Sequence, residues 1–225
     1  MELIGKLSVI NDAILFEKAE NGDVIINSVD PRNVVSYQFR APNTHFDFVG
    51  DDCAFYSFKE FYQLLSSFEN PKLAQDDIDL IISQNKSKIR FRTFDPEIMD
   101  VDELESPFDH VPFENPNVVF SLEKNQIKAI AKMINRIVGK TVNLAVKDGS
   151  ITLKVFSNKH KNSWKNEYSL DEHDDTEFDF DISKDMFTLI PEGDYEISIM
   201  ELGMVKFALK TGNDVKVNIY TGELD

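Results

Sequence analysis

The sequence predicts an α+β protein built from two similar halves, and three observations carry that reading. Two alternating apolar stretches each contain a hairpin dipeptide: INDAILFEKAENGDVIINSVDP at 10–31 and KTVNLAVKDGSITLKVFSN at 140–158. Asn-Gly and Asp-Gly tolerate positive φ and so favour tight hairpins. Downstream of each stretch, apolar residues in alternation lead into a short amphipathic helix. Phe46, Phe48 and Phe55 precede SFKEFYQLLSSF at 57–68, and Phe178, Phe180 and Ile182 precede SKDMFTLI at 183–190. Between the halves, 93–117 is acidic and holds Pro96, Pro107, Pro112 and Pro116, which forbid a continuous helix. The predicted organisation is a first domain over 1–92, a connector over 93–116 and a second domain over 117–225.

Taken in order, the first half opens on a short helical segment, MELIGKLSVI, ahead of its hairpin. Ser57 reads as the N-cap of the 57–68 helix, and Glu60 three residues on completes a capping-box pattern. Ser183 reads as the N-cap of the later short helix. Strands at 78–83 and 88–94 close the first half. Strands at 194–200, 205–210 and 215–220 close the second.

The second half opens on a full helix, KNQIKAIAKMINRIVGK at 124–140, which is the most informative stretch of the chain. Lys124, Lys128, Lys132, Arg136 and Lys140 recur at four-residue spacing with no Asp or Glu among them. Each step advances about 40° around a helix, so the cations span roughly 160°. Ile127, Ile130, Ala131, Ile134, Ile137 and Val138 fill an opposing arc of roughly 120°. One face docks on a core while the other presents positive charge. Solvated helix faces normally mix signs, because Glu–Lys pairs at this spacing stabilise a helix and like charges repel. The pattern fits a local polyanion site, with nucleic acid first in line, and it also fits an ordinary solvated face. A membrane-surface helix fits less well, since the narrow apolar face has no Trp or Phe.

Composition narrows the function. The 225 residues carry 24 Lys and Arg against 40 Asp and Glu, a net charge of −16. Such a surface disfavours indiscriminate binding to nucleic acid, so any contact must use a local basic face. Hydrophobic content of 42% with 18 Phe supports packed cores rather than disorder. The single Cys53 excludes an intramolecular disulfide and fits a reducing compartment. Its neighbours Asp51 and Asp52 disfavour a thiolate. With no apolar run near 18 residues and no basic-then-apolar leader, the expectation is a soluble intracellular protein with no membrane partner.

No catalytic or metal motif emerges. His45, His110, His160 and His173 are scattered without ligand spacing. There is no Gly-rich phosphate loop and no nucleophile elbow. The acidic run DEHDDTEFDFD at 171–181 lacks the order of a calcium loop and reads as a solvated loop entering a strand. Lys86, Lys88, Arg90 and Arg92 share one face of a strand, with Ile89 and Phe91 on the other. That row reads as an edge strand protected by charge, ahead of a second patch for nucleic acid or an acidic partner. The expectation is a non-enzyme with no cofactor and no metal.

Two similar α+β halves, an extended connector, strong acidity and a lysine-rich helix together resemble a DNA sliding clamp, and most closely the trimeric clamp of tailed bacteriophages. The residues that carry the resemblance are FSLEKNQIKAIAKMINRI, KDGSITLKVFSNK, YSL, TEFDFDISKDMFTLIPEGDYEISI and KFALKTGNDVKVNI, with the 55–68 segment less specific. The resemblance implies a DNA-clamp fold with outer β-sheets and inner helices, closed into a homotrimeric ring. It implies a processivity factor that encircles duplex DNA without sequence preference, tethers a DNA polymerase and is opened by an ATP-driven clamp loader. It places the protein in the cytoplasm of an infected bacterial host. DNA-facing residues are then Lys124, Lys128, Lys132, Arg136 and Lys140, with Lys6 and Lys59 as the sparse lining of the first half. The resemblance also suggests a partner groove under the connector, near Ile98, Met99, Val101, Phe108, Val111 and Phe113; the residues alone favour plain packing. It sets the Lys86–Arg92 row toward the outside or a subunit boundary. The rival reading is an acidic DNA mimic that inhibits host DNA-binding enzymes, against which the gathered cations argue.

Overall fold

In the computed structural model, the chain is described over residues 2–30, 32, 35–46, 52–95, 115–137, 141–156, 163–173, 176–200, 203–212 and 214–223. The chain forms two compact units, one holding 1–31, 37–106 and 212–216, the other 32–36, 107–211 and 217–225.

The first unit runs α1 (Glu2–Ile10), β1 (Ile14–Lys18), β2 (Val24–Val29), β3 (Val35–Ala41), a 3-10 turn (Asn43–His45), β4 (Cys53–Phe55), α2 (Phe58–Ser66), β5 (Lys72–Asp76), β6 (Asp79–Gln84) and β7 (Ser87–Arg92). Its strands lie in the orders β3-β2-β1-β4 and β5-β6-β7. The first hairpin places Lys18 opposite Val24, and Gly22 takes the left-handed φ of 86° that its turn requires. An aromatic cluster forms the core. Phe16 and Phe55 lie 5.2 Å apart, Phe55 and Phe61 5.0 Å, and Phe61 and Phe91 5.3 Å. Phe58, Phe61 and Leu65 are the buried face of α2. A Cβ at Gly5 would collide with the Tyr62 ring, so glycine there lets α1 approach α2.

The cap of α2 differs from the sequence expectation. Ser57 occupies the N-cap position, but its side chain makes no capping bond. Asp12 does the work instead: its Oδ1 accepts from the Lys59 N–H at 2.6 Å, and its carbonyl accepts from the Phe58 N–H at 3.0 Å. The Asp12 carboxylate on the Lys59 amide also meets the positive end of the helix dipole, which a serine hydroxyl does not.

The second unit runs β8 (Val118–Leu122), α3 (Lys124–Arg136), β9 (Thr141–Lys147), β10 (Ser150–Phe156), β11 (Ser163–Ser169), β12 (Glu172–His173), β13 (Phe178–Ser183), α4 (Asp185–Leu189), β14 (Tyr195–Met200), β15 (Met204–Leu209) and β16 (Lys216–Gly222). Its strands lie in the orders β12-β8-β14-β15-β16 and β11-β10-β9-β13. The β9–β10 turn has positive φ at both Asp148 (51°) and Gly149 (72°), the geometry that Asp-Gly favours. The acidic run does enter a strand: Phe180 and Ile182 are buried while Asp179 is exposed. Ser183 caps α4 from one residue further out than expected, its Oγ accepting from the Asp185 N–H at 3.2 Å. Apart from β8, β12 and the 3-10 turn, the second unit repeats the element order of the first.

Candidate nucleic-acid interface

Helix α3 positions the candidate site. Ile127, Ile130 and Ile134 are its buried residues, as their spacing of three and four predicts. Lys124, Lys128, Lys132 and Arg136 are exposed together on the other side. The helix ends earlier than the sequence suggested. The Ile137 N–H makes the last bond, to the Met133 carbonyl at 3.0 Å, and Ile137 itself is extended at φ −96°, ψ 122°. The β-branched pair Ile137-Val138 followed by Gly139 is poor helix material, which accounts for the stop. Thirteen residues give a rod of about 20 Å, shorter than the stretch 124–140 would give. Ile137 is half-buried rather than part of the core face.

The N-terminal end of α3 is built by groups far off in sequence. The Glu123 N–H donates to Gln126 Oε1 at 2.6 Å, so Gln126 folds back on the cap. The Lys124 N–H donates to Asp194 Oδ1 at 2.7 Å. The same loop, between α4 and β14, carries Glu192. Its Oε2 lies 2.9 Å from Lys128 Nζ and 3.4 Å from Lys124 Nζ. Hydrogen bonds from Lys128 first, and then from Lys124, hold the Glu192 carboxyl below its ordinary range. The expected face of unmixed positive charge therefore meets an acid at one end. Among the described residues, no ion pair engages Lys132 or Arg136, and Arg136 sits favourably at the negative end of the helix dipole.

Four of the seven predicted DNA-facing residues are thus brought together on α3. Lys59 is exposed on α2 of the other unit, beside Glu60. The Lys6 side chain and Lys140 lie outside the described residues, as do Ile98, Met99, Val101, Phe108, Val111 and Phe113. Sequence analysis missed Glu192 and Asp194. No local signal reveals them, because their partners lie 64 to 70 residues earlier in the chain.

The other cationic row has a different setting. β7 is the outer strand of its three-stranded sheet, as an edge reading expects. Arg90 Nη1 and Arg92 Nε reach Asp79 at 2.7 and 2.9 Å, and Arg90 Nη2 reaches Asp76 at 2.9 Å. Both arginines are paired within their own sheet. Lys86 lies in the turn before β7.

No protein-family model matches the chain, and no curated protein matches it in sequence. Solved structures do. The chain is similar to A. fulgidus PCNA bound to the C-terminal region of FEN-1, with a TM-score of 0.76 and 14% identity over 100% of this chain and 94% of that one. It is similar to PCNA from Thermococcus kodakaraensis, with a TM-score of 0.74 and 14% identity over 99% and 94%. Against the Entamoeba histolytica protein, the TM-score is 0.70 with 13% identity over 99% and 95%. These are PCNA-type sliding clamps, and the chain has the DNA-clamp fold.

Proposed function

We propose that this protein is a sliding clamp: a non-enzymatic ring of three identical chains that encircles duplex DNA and tethers a DNA polymerase to it. The observation that carries the proposal is the exposed row Lys124, Lys128, Lys132 and Arg136 on a single helix of a clamp-fold chain whose net charge is −16. An acidic surface repels DNA everywhere else and concentrates attraction on that row. Three of the four are lysines, flexible point charges that contact and release phosphates without fixing a register. Lys140, Lys6 and Lys59 extend the lining in the proposal.

β7 and β11, outer strands of six and seven residues, are long enough to pair between copies and close a ring. Opening that ring falls to an ATP-driven loader. The connector residues Ile98, Met99, Val101, Phe108, Val111 and Phe113 are proposed to receive short apolar segments of the polymerase and loader. The resemblance to phage clamps supports a role in viral DNA replication in the cytoplasm of a bacterial host.

Two measurements test the proposal. Light scattering should give a molar mass near three times 25.8 kDa. Protein loaded onto circular DNA should stay bound and be lost when the circle is cut, because a topological link needs no tight grip. A monomer that blocks a DNA-binding enzyme and ignores DNA would establish the DNA-mimic reading instead. Equal retention on circular and linear DNA would overturn the ring.

A further inference from the structure

We infer that Glu192 is a built-in competitor for DNA phosphate, which occupies the lysines at the start of α3 and leaves Lys132 and Arg136 as the principal phosphate contacts. The inference rests on the DNA-facing reading of α3 and specifies how strongly that face grips.

Glu192 is held at the row by its loop. The buried Tyr195 hydroxyl donates to the Pro191 carbonyl at 2.6 Å and anchors the loop just before Glu192. At Gly193 a Cβ would collide with Leu209 Cδ1, so the loop packs here against that side chain as glycine and a larger residue would have to displace it. Asp194 is tied twice, its side chain to the Lys124 N–H at 2.7 Å and its carbonyl to the Lys210 N–H at 2.8 Å. With both flanks fixed, the loop keeps the Glu192 carboxylate within reach of both Lys124 and Lys128.

A phosphate approaching Lys128 meets a carboxylate already there. It must either displace that carboxylate or share the lysine with a like charge. Both weaken the contact, and both reduce the counterions that the lysine releases on binding. The row is therefore graded, held back at its N-terminal end and, among the described residues, without an ion pair at Lys132 and Arg136. Such grading suits a protein that must hold DNA and still move along it.

The test is a double-mutant cycle on the assembled protein, read as affinity for a fluorescent duplex across about 50–200 mM salt. Glu192→Gln should bind about three- to tenfold tighter at low salt, with a salt slope steeper by about 0.9 for each lysine released. Lys128→Gln should cost no more than about twofold in the wild type and about fivefold in the Glu192→Gln background, whereas Lys132→Gln should cost the same in both. Thermal unfolding of Glu192→Gln should match the wild type, since the lost ion pairs are exposed. Unchanged or weaker binding by Glu192→Gln, or an equal cost of Lys128→Gln in both backgrounds, overturns the competitor role. If Lys132→Gln weakens binding while Glu192→Gln is inert, only this inference falls. If Lys132→Gln leaves affinity intact in both backgrounds, the DNA-facing reading falls with it.

Discussion

The basic row on β7 and the basic row on α3 look alike in sequence, yet they are answered in opposite ways. On β7, Arg90 and Arg92 converge on Asp79, whose side chain is only 3% exposed. A carboxylate so enclosed needs its partners, and the arginines are explained by the acid on the neighbouring strand. On α3, the answering acid is Glu192, 53% exposed and confined to the first two lysines. Lys132 and Arg136 have no ion pair among the described residues. A row of one sign is therefore ambiguous until the acids that other elements bring to it are placed. Where they neutralise the row, it holds a sheet together; where they leave part of it open, that part can take a partner.

The largest expected effect separates what holds α3 from what it presents. Ile130→Ala should cost about 2–5 kcal/mol in urea unfolding, because the residue is fully buried and its removal leaves a cavity. Lys132→Ala should stay within about 0.5 kcal/mol of wild type. Similar losses for both would mean that the cations, too, are structural, and the contrast with β7 would collapse.

Next in size is Asp79→Asn, which should lower the thermal midpoint where Glu192→Gln does not. Its pH dependence has a definite sign. Hydrogen bonds from Arg92 first, and then Arg90, hold the Asp79 carboxyl below its ordinary range. A lowered folded pKa gives stabilisation that is fully present above the unfolded value of about 3.9 and is lost as pH falls through the folded one. The stability gap between wild type and Asp79→Asn should therefore be constant from about pH 8 to 5 and shrink below about pH 4. A gap that widens on acidification would show that the arginines are not answered by this acid.

What the sequence made legible was periodic and local. The three-and-four spacing of Ile127, Ile130 and Ile134, the cations opposite them, and the dipeptides Asn21-Gly22 and Asp148-Gly149 each act over a few residues. What it hid was long-range. Asp12 caps a helix 46 residues on, since its carbonyl bonds to Phe58, and Asp194 and Glu192 reach back to Lys124 and Lys128. β3 was missed, although it carried an apolar alternation in Val35, Tyr37, Phe39 and Ala41, all buried. β5 did not: KLAQD has little apolar content and is exposed at every second residue. The end of α3 was also misread, because apolar Ile137 and Val138 continue the helical period while their β-branching disfavours it.

The central claim is that the open end of the α3 row grips DNA. Its most direct test is the double variant Lys132→Glu, Arg136→Glu, assayed as a folded assembly for duplex binding across salt concentrations. The account predicts at least a tenfold loss of affinity at about 50 mM salt and a salt slope flatter by about two, since two phosphate contacts disappear. Arg90→Gln on β7 should leave both quantities unchanged. A folded double variant that binds DNA with wild-type affinity and slope would contradict the account.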